Sequence, residues 1–504
     1  MKDLVIRKAS AVLIPLLAAA AMGLHPDTVS AQGADYAFLK ERLDHLEQRQ
    51  TALEAENRQL REQIVSLSGV VIGKGPAVPI QQVTLQAPSA TLPAAQAAPA
   101  RPAAETPPQR VLFGGEIRFR PETRSSFQSG VGVNTILHQR IRLDARWRLN
   151  DNVTGLIQVQ DSRLWGQEAS TASNEGNLDL HQGYLQVAGF LAPQWTLRVG
   201  RQEISYGNQR LIGAFGWDNI GRSFDAGKLT YAGASVSADL FAGRLADRRN
   251  SGRGDNSQDL IGLYGRIGQP NAKFVLEPYL LYLRDGLEIA GEQAGVPREP
   301  TRILTLGFRT FGAAGSGFSY DLENAFQVGQ RGPDSQRAAA LAAQARYRFS
   351  GDVRPEFGFE YDYATGDGKS TDGLSQEFNN LFPTNHPHYG FADYLGWRNM
   401  QDFKPYVSFQ VSPSVRAEFA YHRFLLVEKT GAWKNAGGTV LGADPTGRLG
   451  TDLGHEIDLT FTFPLYEHLR MLPGYSLFLP GKFARGTQGP RASQFAYWQT
   501  VVTF

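Results

Sequence analysis

The chain of 504 residues contains no cysteine, so a disulfide framework, thiolate metal sites and cysteine catalysis are excluded outright. Charge bias is missing too. With 51 Lys+Arg against 49 Asp+Glu there is no general field for nucleic acid, and no nucleic-acid partner is expected. Beyond the N-terminus no apolar run approaches about 18 residues, which excludes a multispan helical membrane protein. A membrane β-barrel stays open, because its lipid-facing and lumen-facing residues alternate and cancel in any hydropathy average. No G-x-S-x-G elbow is present, and Lys369-Ser370 lacks the upstream glycine of a phosphate loop. Neither catalysis nor a cofactor is therefore expected. His386 and His388 lie close together in NHPHYG, but a metal site needs convergent ligands, and none is expected here.

What is present falls into four segments. Residues 1–31 have a cationic start, an apolar run from Ala11 to Leu24 and a small-residue site at Val29-Ser30-Ala31, the three parts of a secretory signal peptide. Residues 32–68 carry a seven-residue period. Leu39, Leu46, Leu53, Leu60 and Leu67 occupy its d position, and Tyr36, Leu43, Gln50, Asn57 and Ile64 its a position. That is the seam of a short α-helical coiled coil, about 50 Å long, in which Asn57 and Gln50 fix register and oligomer number. Residues 69–110 hold eight prolines and no apolar period, and read as an extended Pro/Ala-rich linker.

From residue 111 to 504 the period becomes two, in segments near ten residues separated by Gly, Asp, Asn and Pro. In LHQRIRLDARWRL (Leu137–Leu149), Ile141, Leu143, Ala145 and Trp147 fall on one face, Arg140, Arg142, Asp144 and Arg146 on the other. The pattern recurs in EIRFR (Glu116–Arg120), WTLRVG (Trp195–Gly200), YDLENAFQVG (Tyr320–Gly329), EFGFEYDYATGD (Glu356–Asp367) and HEIDLTFTF (His455–Phe463). Such segments have the length and alternation of strands crossing an outer membrane. The fold class expected is all-β, a transmembrane antiparallel β-barrel of about 18 strands preceded by the coiled coil. Aromatic pairs such as Tyr361 with Tyr363, Tyr394 with Trp397 and Tyr497 with Trp498 suit interfacial girdles, or equally a buried core. The chain closes on FAYWQTVVTF, with Trp498 and Val502 on one face and Phe504 terminal, which looks like the recognition signal of the barrel assembly machinery.

GRQEISYGNQRLIGAFGWDNIGRSFDAGKLTY (Gly200–Tyr231) resembles the alginate export family of outer-membrane barrels. FNNLFPTNHPHYG (Phe378–Gly390) and LGHEIDLTFTFPLYEHLRMLPGYSLFLPG (Leu453–Gly481) extend the resemblance over Gly115 to Phe504. It implies a monomeric eighteen-stranded barrel with an Arg-rich constriction passing an anionic polysaccharide. On the matching strands the implied pore-lining residues are Arg118, Arg120, Arg140, Arg142, Arg146, Arg198 and Arg201, with Asp144 and Asp161 as counter-charges. The heptads and the linker depart from the family pattern, so the resemblance speaks for the fold more than for the substrate.

The expected function is a channel in the outer membrane of a Gram-negative bacterium, in contact with its lipid. An anionic solute or polysaccharide would pass by diffusion. The alternative is structural: the barrel is an anchor, and its periplasmic coiled coil tethers a partner or peptidoglycan. A third arrangement joins two or three barrels into a homo-oligomer through the same coil.

Overall fold

The computed structural model describes residues 110–127, 132–173, 176–247, 256–269, 272–412 and 414–504. The signal peptide, the heptad segment and the linker up to residue 109 lie outside the described residues.

Eighteen strands form one sheet. In chain order they are β1 Arg110–Arg124, β2 Asn134–Arg148, β3 Val153–Leu164, β4 Leu178–Ala188, β5 Trp195–Gln202 and β6 Phe224–Ala232. There follow β7 Val236–Asp247, β8 Ser257–Ile267, β9 Val275–Ile289, β10 Glu299–Ala314, β11 Phe318–Arg331 and β12 Asp334–Arg348. The last six are β13 Glu356–Ala364, β14 Met400–Ser412, β15 Val415–Leu425, β16 Asp452–Tyr466, β17 Leu469–Pro480 and β18 Ser493–Thr503. Every strand pairs antiparallel with its sequence neighbours. β18 returns to β1, with Thr503 opposite Glu116 and Phe495 opposite Arg124. Closure leaves no sheet edge with unpaired backbone groups, which is what lets strands span lipid.

Period-two alternation sets the two surfaces. Leu240, Leu263, Leu280, Leu306 and Phe326 stand side by side across β7 to β11. Each is 42–52% exposed, an apolar band that only lipid covers. Intervening residues turn inward and are buried, among them Phe241, Tyr279, Thr305, Glu323 and Gln327. Trp498 and Val502 share the outward face, and the backbone of Phe504 exchanges hydrogen bonds with Gly115 at 2.9 and 3.1 Å.

Connections are short on the side holding both barrel termini, as at 233–235, 315–317 and 467–468. Those on the other side include 203–223, 365–399 and 426–451. Short turns mark the periplasmic end of such a barrel and long loops the extracellular end. The three long loops fold back inside and bring Phe378, Tyr389, Trp397 and Trp433 to full burial against Phe424 and Phe478 of the wall. Tyr394 and Trp397 thus belong to an internal core, whereas Tyr361 lies on the outward face beside Phe403.

Candidate functional site

The lumen is crossed by loop 203–223. At one end it meets β1 to β3. Arg118 and Arg140 face each other across β1 and β2, so their charges would repel if nothing lay between them. Both converge on the same two carbonyls. Arg118 donates to Gly216 O at 2.7 Å and Asp218 O at 2.8 Å, and Arg140 to the same oxygens at 3.2 and 3.1 Å. Arg120 donates to Trp217 O at 2.5 Å and lies over the Trp217 ring, 3.8 Å from its centroid. Arg142 donates to Ile220 O at 3.0 Å and to the Gln160 amide oxygen at 2.6 Å. A bond from a charged donor contributes about 1.5–3 kcal/mol where both groups are shielded from water. The carboxylates that balance these arginines are Glu116, 2.6 Å from Arg140, Glu122, 2.6 Å from Arg120, and Glu203, 3.2 Å from Arg142.

The other end of the loop is held by β11 and β13, at least six strands from β1–β3 in either direction around the ring. Asn208 donates to Asp321 at 2.9 Å. Arg210 donates to the Tyr389 hydroxyl at 2.8 Å, lies 3.0 Å from Asp362 and pairs with Glu360. Burial works against the Arg210 charge, but Asp362, with Tyr389 and Glu360, raises its pKa well above the ordinary arginine value. His388 is the opposite case: burial and the nearby Arg210 charge lower its pKa to about 3. It is therefore neutral at physiological pH, and its Nε2–H donates to Asn208 O at 2.8 Å.

Loop 365–399 completes the insert. Phe382 N donates to Leu211 O at 2.8 Å and Phe382 O accepts from Gly213 N at 2.9 Å, a parallel bridge between the two loops. Arg222 ties them further, donating to the carbonyls of Gly213, Phe382 and Pro383 at 2.6–2.9 Å. The His386 ring stacks on Trp217 at 3.7 Å between centroids. Ala392 N and Phe391 N donate to Glu456 and Asp458 of β16 at 2.8 and 3.2 Å.

Backbone strain collects in the same place. Of the seven non-glycine residues at positive φ among the described residues, Gln209, Phe215, Leu381, Asp393 and Asn399 lie in these two loops. Each costs of the order of 1–3 kcal/mol and persists only where the surroundings over-determine the conformation. Gly221, at φ +81, needs both its freedom and its lack of a side chain. A Cβ there would lie 2.8 Å from Arg142 Nη2. Gly221→Ala is expected to weaken loop docking by about 1–2 kcal/mol. Limited proteolysis should then cut the loop faster while the barrel remains heat-modifiable on gels; unchanged cleavage would contradict the assignment.

Four expected pore-lining residues, Arg118, Arg120, Arg140 and Arg142, do face inward, but they are 2–8% exposed and occupied by loop carbonyls. They support the insert and do not line an open wall. Arg146 faces the lumen beside Asp144 at 3.1 Å, with its side chain 63% exposed. Arg198 also faces inward, bonded to the Gln186 oxygen and lying over Tyr184. Two assignments need correction. Arg201 is in step with the exposed Val199 on the outward face, where it pairs with Asp225 at 3.1 Å. Asp161 stands opposite the outward Ile141 and pairs with Arg163 at 2.5 Å, so it balances no lumen arginine. The true counter-charges Glu116 and Glu122 share the parity of Arg118 and Arg120 in EIRFRPETR, a signal the sequence reading passed over. Leu39, Leu43, Leu46, Leu53, Asn57, Leu60, Ile64 and Leu67 lie outside the described residues.

On the extracellular side Glu292 carries a raised pKa of about 7, from burial, a hydrogen bond and charge repulsion at Asp367, and the charge of Asp334. Its backbone N–H donates to Asp334 at 2.9 Å and its carboxyl accepts from Gly373 N at 3.3 Å. A raised folded pKa contributes stability that is complete below the ordinary value of 4.5 and is lost as pH climbs through about 7. Amide exchange at Gly373, corrected for intrinsic rate, should therefore speed up between pH 6 and 8, and Glu292→Gln should flatten that dependence. A profile that Glu292→Gln leaves unaltered would contradict this.

A closed antiparallel barrel with an apolar outer band, a polar interior and inserted extracellular loops defines an outer-membrane β-barrel of the porin type. Crystal structures of Pseudomonas aeruginosa barrels share the fold. OpdH matches with TM-score 0.52 at 12% identity, over 78% of this chain and 98% of its own. The outer membrane protein OprD matches with TM-score 0.51 at 12% identity, over 78% and 93%. No curated protein matches the chain in sequence. The family model for alginate export matches residues 109–498, and the chain belongs to that family.

Proposed function

We propose that the protein is a passive outer-membrane channel for anionic solutes, with a carboxylate-bearing polysaccharide of the alginate type as its cargo. One observation carries the reading: the inward arginines divide into two groups. Arg118, Arg120, Arg140 and Arg142 hold the insert, while Arg146 and Arg198 sit nearer the short-turn end with neutral or single partners. A guanidinium stays charged and is weakly hydrated, so it contacts carboxylates with little desolvation loss. Arginines along a pore favour anions, and a neighbouring acid such as Asp144 keeps each contact weak enough to release. Family membership supports the same cargo. Reversal potential across a planar bilayer under a salt gradient tests this. Anion selectivity is expected, and Arg146→Gln with Arg198→Gln should reduce it; cation selectivity, or a double variant identical to the parent, would sink the reading.

The strict heptads of residues 32–68 support a second component, self-association or a periplasmic tether at the end of the linker. Deletion of residues 32–109 should leave conductance intact and abolish cross-linked oligomers or envelope tethering. Phe504, in step with Val502 and Trp498 on the outward face of the closing strand, supports recognition of β18 by the barrel assembly machinery.

A further inference from the structure

The arginines that hold the insert have few donors left for a solute; the cations of the opposite wall are less engaged. Three hollows of about 490, 230 and 180 Å³ lie along the periplasmic ends of β11 to β15. They share walls: Arg346 borders the first and third, Arg348 and Glu356 the first and second, Arg416 the second and third. Together they make one groove. It starts at the rim, at Gly315–Gly317, and ends beneath the insert at Asn208 and His388.

The groove is lined by six cations, Arg210, Arg346, Arg348, Arg354, Lys404 and Arg416, against the three carboxylates of Glu356, Glu360 and Glu418. The excess is not spread evenly. Arg348 pairs with Glu356 at 2.5 Å, Arg416 with Glu418 at 2.7 Å and more distantly with Glu356 at 3.8 Å, and Arg210 is taken by β13. Among the described residues Arg346 donates only its Nε–H, to Ser319 at 2.8 Å, so its Nη groups hold no hydrogen bond there. Arg354 has no ion pair among the described residues and sits at φ +41, a left-handed conformation that a non-glycine residue keeps only under constraint. Cations unbalanced in a concave, low-dielectric wall concentrate anions from solution. Spaced guanidiniums divided by acids suit a chain with one carboxylate per unit, gripped at several points and at none of them tightly.

We propose that this groove is a loading site for a linear polycarboxylate, bound by Arg346 and Arg354 with Arg348 and Arg416, at the periplasmic mouth of the channel. The proposal rests on the anion-channel reading above and names where its cargo is first held. The test is current block by a hexamannuronate added to the periplasmic side of bilayers carrying the full chain. Arg346→Gln with Arg354→Gln should raise the half-blocking concentration, taken relative to each channel's own open current, about tenfold, equivalent to about 1.4 kcal/mol. These two residues hold no ion pair among the described residues, so the variant is expected to assemble; should it fail, Arg346→Gln alone is measured, and at least a threefold rise is expected. A parent channel that is anion-selective and blocked, beside a variant blocked within twofold as well, overturns the groove and spares the channel reading. A parent that is neither anion-selective nor blocked overturns both.

Discussion

Replacing Arg118 and Arg140 together by alanine loosens loop 203–223 on the β1–β2 wall and raises single-channel conductance. The two guanidiniums jointly supply the donors for Gly216 O and Asp218 O. With both removed, those carbonyls lose their protein donors, and Glu116 loses its 2.6 Å partner. Water in the lumen replaces part of the loss, which leaves a net penalty of about 3 kcal/mol, or about two orders of magnitude in the docked-to-undocked ratio. The strain at Phe215, φ +50, then relaxes and works in the same direction. Single substitutions should do much less, because each carbonyl accepts from both arginines. Conductance recordings together with labelling of an Asn219→Cys reporter measure the outcome. A double variant with parental conductance and a protected reporter would mean that Arg120 and Arg142, with the β11–β13 wall, suffice to hold the loop.

The double contact also explains what the sequence could and could not reveal. Strand parity was legible, because a period of two fixes which residues share a face, and Leu143 and Ile157 lie outside while Arg142 and Gln160 lie inside as alternation requires. The alternating last strand was legible too, though not its pairing with β1. Parity says that a side chain points inward, but not what it meets there. GRQEISYGNQRLIGAFGWDNIGR carries the family resemblance, yet nothing in its glycines and polar residues marks a loop that folds into the lumen. Only the three-dimensional path shows that Gly216, Trp217 and Asp218 present carbonyls to the arginine ladder. Arg201 and Asp161 were misplaced for a related reason. Charged residues at the extracellular ends of outward faces have the composition of lumen residues, because there the apolar band has ended.

Arg210→Met is expected to be the most damaging single substitution in the insert. Arg210 is 4% exposed and joins loop 203–223 to Glu360, Asp362 and Tyr389 at once. Methionine fills much of the volume but leaves two carboxylates, at 2% and 0% exposure, with Lys404, opposite Glu360 on β14, as their remaining cation. Breaking one side of a buried ion pair costs about 3–5 kcal/mol, whereas replacing the whole set by neutral groups of similar size is often close to neutral. The triple variant Arg210→Met, Glu360→Gln, Asp362→Asn should therefore recover most of what the single one loses. Barrel formation itself should survive in both, since the eighteen-strand ladder does not pass through Arg210. Heat-modifiability on gels reports the barrel, and the thermal midpoint of tryptophan fluorescence, dominated by the buried Trp397 and Trp433, reports the insert. A single variant that melts with the parent would show that the arginine is dispensable. A triple variant no better than the single one would show that Arg210 acts through Tyr389 and the loop backbone, not through its charge.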